Sequence, residues 1–356
     1  MSLTSVIVAT GKCIPSVVIK NSNFMNNQFH EKNGDRVDRS NEDIINKLHD
    51  ITEIEERRYA EPGQVSSDLA AIAAENALSS SGIDRESLDY IIVAHNFGDV
   101  KSGSSRVDMV PTLASRVKHA LGIKNPDCVA YDLPFGCPGW LQGTIQANYF
   151  IRSGDAKRVM IIGSEILSRV SDPHDRDCMI FADGAGAVIL EGRTDTDSGI
   201  LSHKTQTHTA EEAYYLYAER SSNPDYTEDD LFIKMDGRKI YEYALSNVPV
   251  AIKATIEKAG LDISDIKKIV IHQANAKMDE AILRRLFKLY NRTDIPEGIM
   301  PMTISKLGNS SVATIPTLLD MMLKKEMPGQ EINKGDVVVF ASVGAGMNIN
   351  AMTYRF

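Results

Sequence analysis

The chain carries one plan twice, and that repetition limits its possible folds more than any other feature. Gly82-Ile-Asp84 precedes the apolar run 90–94 and then His95-Asn96, while Gly260-Leu-Asp262 precedes the run 269–271 and then His272-Gln273. The two glycines lie 178 positions apart (82 to 260), half of the 356 residues. Gly154-Asp155 before 159–162 matches Gly335-Asp336 before 337–340, at an offset of 181 (154 to 335). Gly136-Cys137 matches Gly308-Asn309 at an offset of 172 (136 to 308), each ahead of a run with helical spacing. Three matches at nearly one offset predict a duplicated α/β unit with a site where the copies meet.

Short runs rich in β-branched residues at 5–9, 90–94, 159–162, 187–190, 269–271 and 337–341 predict strands. Their continuous apolarity suits strands buried on both faces. Helical patterns at 67–80, 113–121, 140–152 and 248–259 alternate with them, which implies mostly parallel sheets covered by helices. Gly184-Ala-Gly186-Ala187 predicts close backbone packing at a strand start. Residues 204–230 have little periodicity and carry Tyr214, Tyr215, Tyr217 and Tyr226, as expected of a functional cap or else of a disordered segment. The halves are expected to divide near 194–199, giving units 1–195 and 196–356.

Composition narrows the function. Hydrophobic content of 43% with 24% charged residues suits a soluble globular protein. A net charge of −9 argues against general nucleic-acid binding. No run of eighteen apolar residues exists, so no membrane span is expected. Residues 1–9 lack a basic leader and predict a first strand, not a signal peptide. Cys13, Cys128, Cys137 and Cys178 show no CxxC spacing, which argues against a metal cage or a disulfide framework and for a reducing cytoplasm.

Cys137 stands in Phe135-Gly-Cys-Pro-Gly-Trp140. Pro138 suits the first helical position, where its missing N–H costs nothing. Cys137 is then expected at the N-cap, where free N–H groups and the helix dipole would lower its thiol pKa. Trp140, one turn along, is expected to pack and fix the helix start. His272 closes a strand at its carboxyl end, where ligand sites of parallel sheets gather. Asn309 is a second N-cap candidate. Each partner alone also suits a structural role, as does His95. Together they order a thiol in the first copy against an imidazole and a carboxamide in the second. Such a set can hold an acyl group on sulfur and offer two neutral N–H donors to an enolate oxygen, worth roughly 3–4 kcal/mol each. No metal or cofactor is required. A cysteine peptidase also uses Cys, His and Asn, but papain-like chains place the Cys near the mature N-terminus.

At these residues the chain resembles the β-ketoacyl-acyl-carrier-protein synthase III family of the thiolase superfamily. The phrases are the Gly-flanked Cys137, Asp172-Pro-His-Asp-Arg176, Phe181-Ala-Asp-Gly-Ala-Gly-Ala187, His272-Gln-Ala-Asn275, Gly308-Asn309-Ser-Ser, Ile315-Pro316 and Gly344-Ala-Gly346-Met347. The resemblance implies a duplicated five-layer αβαβα thiolase fold, a homodimer and a decarboxylating Claisen condensation. It implies that Cys137 carries an acyl group from acyl-CoA, and that His272 and Asn309 stabilise the enolate of malonyl-acyl carrier protein. The Cys137 and Gly346 backbone amides would form an oxyanion hole. Arg176 and Asn275 would line the CoA and substrate tunnel. Carrier docking is expected on Lys277, Arg284 and Lys288, which share one helical face.

The chain departs from the family's pattern in several places. Asp43 stands where members often carry a CoA-stacking Trp, Thr52-Glu-Ile54 replaces Thr-Gly-Ile, and 95–105 reads as an insertion before Met109-Val-Pro111. A longer or branched primer, from acyl-CoA or a carrier, is therefore expected beside the fatty-acid-initiating reading. A condensing enzyme of secondary metabolism and a non-catalytic partner subunit are the alternatives. Thiolases place a second cysteine near the C-terminal turn, where this chain has none.

Overall fold

The computed structural model describes residues 3–356. Met1 and Ser2, part of the stretch read as lacking a leader, lie outside the described residues. Nine strands build the two principal sheets. The first holds β1 (Thr4–Cys13), β2 (Tyr90–His95), β3 (Val129–Pro134), β4 (Arg158–Ile166) and β5 (Asp183–Arg193), in the order β1-β5-β4-β2-β3. The second holds β6 (Gly199–Thr207), β7 (Ile266–Ile271), β8 (Val337–Gly344) and β9 (Asn348–Arg355), in the order β6-β9-β8-β7. In both, a parallel pair, β4 with β2 and β8 with β7, is followed in the order by two antiparallel pairings, β5 with β4 and β1 with β5 in the first sheet, β9 with β8 and β6 with β9 in the second. The repeat seen in the sequence is thus a repeat of sheet topology. The chain passes from one sheet to the other between Arg193 and Gly199.

Among the described residues the second sheet has no counterpart of β3. Ile269 donates its N–H to the Ile299 carbonyl at 2.8 Å, so a segment does run alongside β7. Pro296 and Pro301 flank that contact, and proline has no N–H to give a ladder.

Six helices cover the sheets: α1 (Ser66–Ser81), α2 (Leu113–Ala120), α3 (Gly139–Ser153), α4 (Gly237–Lys258), α5 (Ala276–Leu289) and α6 (Thr314–Leu323). Leu69, Ala73 and Ala77 of α1 and Val117 of α2 pack on the outer face of the first sheet. Val248, Ile252 and Ile256 of α4 and Ile282 and Leu286 of α5 do the same for the second. Between the sheets lie α3 and α6, where Trp140, Ile151, Ile315 and Leu318 meet Ile161 and Val188 on one side and Val338 and Phe340 on the other. The result is five layers, αβαβα. Trp140 is buried edge-on to Phe340 at 6.2 Å, which gives it the packing role expected.

The reactive turn of each half rests on a strand of the other. A Cβ on Gly344 at the end of β8 would come within 2.6 Å of the Cys137 nitrogen, and one on Gly163 in β4 within 2.2 Å of the Val312 carbonyl oxygen. Only glycine permits such approaches. At Gly186 in β5 a Cβ would come within 2.7 Å of the Thr317 nitrogen, the close packing expected there.

The segment expected to be irregular at 204–230 is more regular than its pattern suggested. It completes β6 and contributes Leu216–Glu219, which pairs antiparallel with Phe232–Met235. This hairpin roofs the central cavity. Buried Lys234 anchors it: its Nζ donates to Asp172 at 2.5 Å, Asp175 at 3.2 Å and Ser222 at 2.7 Å. A fully paired buried cation is tolerated where a lone one is not. Among the described residues no helix is long and apolar enough to cross a membrane.

Candidate active site

Cys137 follows β3 at the turn Phe135-Gly136, where Gly136 takes φ 66°. Pro138, with φ −72° and ψ −2°, is the N-cap of α3, and the helix proper begins at Gly139. Cys137 therefore sits one residue ahead of the N-cap expected for it. Its thiol is also not lowered. Burial pushes it up to about 11, the Glu165 charge adds to the rise, and the Ser311 hydroxyl and the residue's own N–H pull the other way. Desolvation outweighs the helix start, so the resting group is a neutral thiol.

His272 directly follows β7, and its N–H donates to the Ala341 carbonyl at 2.9 Å. Its ring is buried, and Nδ1 has no hydrogen-bond partner in the protein. Desolvation lowers its pKa to about 4 against an opposing Ser311 backbone contact, so at neutral pH it is an uncharged imidazole.

Asn309 follows Gly308, which takes φ 64°. A Cβ on Gly308 would meet the Arg57 Cβ at 2.9 Å and the Ala182 Cβ at 3.1 Å. Asn309 is tied to the start of β5 by its N–H to the Ile180 carbonyl at 3.0 Å and by the Ala182 N–H to its own carbonyl at 2.8 Å. It does not occupy the N-cap itself; a turn at Ser311–Ala313 intervenes before α6. Its Oδ1 accepts the Ser311 N–H at 2.9 Å. The Nδ2 hydrogens are left as what the amide can offer to the cavity.

Cys137, His272 and Asn309 line one cavity of about 410 Å³, with Ser311, Asn96 and Gly346 on the same wall. Gly346, at φ 72°, lies in the turn that follows β8. Most of the remaining wall is apolar, including Phe97, Leu167, Phe181, Leu216, Ile233 and Met235. The pocket thus offers a thiol, neutral N–H donors and an apolar lining.

The other expected site residues lie apart from it. Arg176 pairs with Glu31 at 3.3 Å and borders a separate surface pocket with Arg36, Arg39 and Lys47. The Asn275 side chain caps α5, accepting the Met278 N–H at 3.0 Å, and does not line the cavity. Lys277, Arg284 and Lys288 are exposed on α5, and Arg284 pairs with Glu280 at 2.9 Å. His95, the counterpart of His272, accepts the Gly98 N–H at Nδ1 (3.0 Å) and sets Nε2 3.1 Å from Asp132, which is a structural arrangement.

Sequence reasoning missed Ser311, Asn96 and Glu165. Ser311 lies two residues after Asn309, and Asn96 beside the duplicated His95. Glu165 could have been found as a charged residue inside an otherwise apolar strand pattern.

Two sheets of matching order, three helical layers and a cysteine at their junction define a thiolase-fold protein. Solved structures of 3-oxoacyl-[acyl-carrier-protein] synthase III share this fold. The Thermus thermophilus protein superposes with a TM-score of 0.81 at 30% identity, covering 98% of both chains. That from Aquifex aeolicus VF5 gives 0.80 at 28% identity, covering 99% of this chain and 100% of its own. The β-ketoacyl-[acyl-carrier-protein] synthase III of Ehrlichia canis is 32% identical over 344 residues, 96% of each chain. The family profile 3-oxoacyl-[acyl-carrier-protein] synthase III matches residues 131–209, and its C-terminal profile matches 256–356. The chain belongs to the β-ketoacyl-[acyl-carrier-protein] synthase III family.

Proposed function

We propose that the protein condenses an acyl-CoA or acyl-carrier primer with malonyl-acyl carrier protein through an acyl-Cys137 thioester, giving a β-ketoacyl thioester. One observation carries this reading: a thiol and two uncharged nitrogen-donor side chains, contributed by opposite halves, share one cavity. The Cys137 sulfur attacks the primer carbonyl, a carbon–sulfur bond forms, the bond to CoA breaks, and the thiol proton leaves with CoA as its free thiol. Malonyl loses carbon dioxide, and the electron pair of the broken carbon–carbon bond becomes an enolate. A ring N–H of neutral His272 and the Asn309 amide hold its oxygen, and two such preorganised donors lower the barrier. The enolate carbon then attacks the acyl-Cys137 carbonyl, the bond to Cys137 breaks, and the sulfur regains a proton from solvent. The Cys137 and Gly346 backbone amides serve as the oxyanion hole in both acyl transfers.

The apolar wall favours a primer longer or more branched than acetyl. The pocket with Arg36, Arg39, Lys47 and Arg176 suits the phosphates of CoA, and α5 presents cations to an acidic carrier. Four unpaired cysteines and the absence of a long apolar helix among the described residues support a cytoplasmic enzyme.

The test is intact-mass spectrometry after incubation with acyl-CoAs of different length and branching. The wild type and the His272→Ala and Asn309→Ala variants are expected to gain the acyl mass, and Cys137→Ala to gain none. Both Ala variants at the donor positions are expected to lose malonyl decarboxylation by about 100-fold. A wild-type enzyme that takes no acyl group from any donor would favour a non-catalytic partner subunit.

A further inference from the structure

Behind the sulfur lies a line of polar groups that the steps above do not use. Ser311 Oγ donates to Cys137 Sγ at 3.3 Å. Asn96 Nδ2 donates to Ser311 Oγ at 3.0 Å and also to Glu165 Oε2. That same carboxylate oxygen accepts the Asn96 backbone N–H at 2.9 Å. Glu165 is fully buried on β4, its charge lies close to His95, and its Oε1 has no partner.

The direction of these bonds is fixed by their chemistry. A carboxamide nitrogen carries two hydrogens and accepts nothing. With one hydrogen on Glu165, the other goes to Ser311. A hydroxyl that accepts from Asn96 turns its single proton elsewhere, and the sulfur is the atom it faces.

We propose that Asn96 and Glu165 are positioning residues that aim the Ser311 hydroxyl proton at the Cys137 sulfur, making Ser311 a further residue that touches the reacting atom. The purpose of the device rests on the condensing function proposed above, but its geometry depends on the thiol alone. Ser311 stabilises the sulfur as it gives up its proton and again when the acyl group leaves. Burying a carboxylate with one of its two oxygens unpartnered is costly, which a merely structural Asn96 would not require.

Two titratable groups bear on the sulfur, Glu165 on β4 and His272 after β7, and Glu165 in turn lies close to His95 at the end of β2, whose partner is Asp132 on β3. Glu165 opposes a negative sulfur by charge while favouring it through Asn96, so the two effects are separable.

The experiment is the rate of Cys137 alkylation by iodoacetamide against pH, with Cys13, Cys128 and Cys178 followed by peptide mass. Ser311→Ala and Asn96→Ala are expected to raise the midpoint by about one pH unit and to slow alkylation at neutral pH about tenfold. Glu165→Gln keeps an oxygen to hold Asn96 and loses the charge, so its midpoint is expected to fall. Midpoints for Ser311→Ala and Asn96→Ala that match the wild type overturn the proposal. Ser311→Ala removes one oxygen and leaves the backbone N–H on Asn309, so it decides the matter alone if Asn96→Ala does not fold. Wild-type enzyme that alkylates as expected but accepts no acyl group counts against the condensing reading and leaves this one standing.

Discussion

At the residue scale, the environment of each side chain decides the chemistry more than its position on a helix does. The helix start next to Cys137 was legible in its sequence, and so was the advantage a helix dipole gives a thiolate. What the sequence hid was the depth of the pocket, and burial is the larger effect, raising the thiol to about 11. The same burial acts on His272 with a useful sign. Nuclear magnetic resonance titration of its ring is expected to give a midpoint near about 4, and a midpoint at or above the usual 6.5 would contradict the neutral donor. The linkage follows: the unfolded chain takes this proton as pH falls through 6.5, and the folded chain only near 4. Stability on the order of 3 kcal/mol is lost across that window. Glu165 behaves oppositely. Burial raises it from 4.5 to about 7, so its contribution is present at low pH and lost as pH rises through 7.

At the element scale, strands and helices were legible because buried parallel strands give unbroken apolar runs, and helices stop at glycines with positive φ such as Gly82 and Gly154. The hairpin over the cavity was not legible. Its strands are four residues each and carry Lys234, whose burial depends on Asp172 and Asp175 some sixty positions away. Local pattern cannot report a partner that distant. Helix α5 shows the reverse case. Its basic face was plain, and its exposed Lys277, Arg284 and Lys288 form the face proposed for carrier docking. Charge reversal at Lys277 and Arg284 is expected to raise KM for malonyl-carrier about tenfold by weakening electrostatic encounter, with acylation of Cys137 unchanged. A KM that stays put removes docking from this helix.

At the scale of the whole molecule, the duplication was legible from paired glycine junctions, while the loss of a fifth strand in the second sheet was not. That asymmetry matters for assembly. The first sheet ends in β3, whose Val129 is 47% exposed, and Val110, in the loop ahead of α2, is 87% exposed. An uncovered strand edge beside exposed apolar side chains invites pairing with another chain. We expect a homodimer joined along β3, with a solution mass of two chains by light scattering. Val129→Lys with Val110→Asp is expected to shift that mass to one chain, and a wild-type monomer at micromolar concentration would dismiss the arrangement.

The mutual seating of Gly344 under Cys137 and of Gly163 under Val312 has a consequence for how such a protein can change. Each copy supplies the floor on which the other's working turn stands, so neither is a self-sufficient catalyst. A bulkier residue in one copy's strand would register as mis-set chemistry in its sibling. The two sequences are free to diverge almost everywhere, yet at those two contacts they remain answerable to one another.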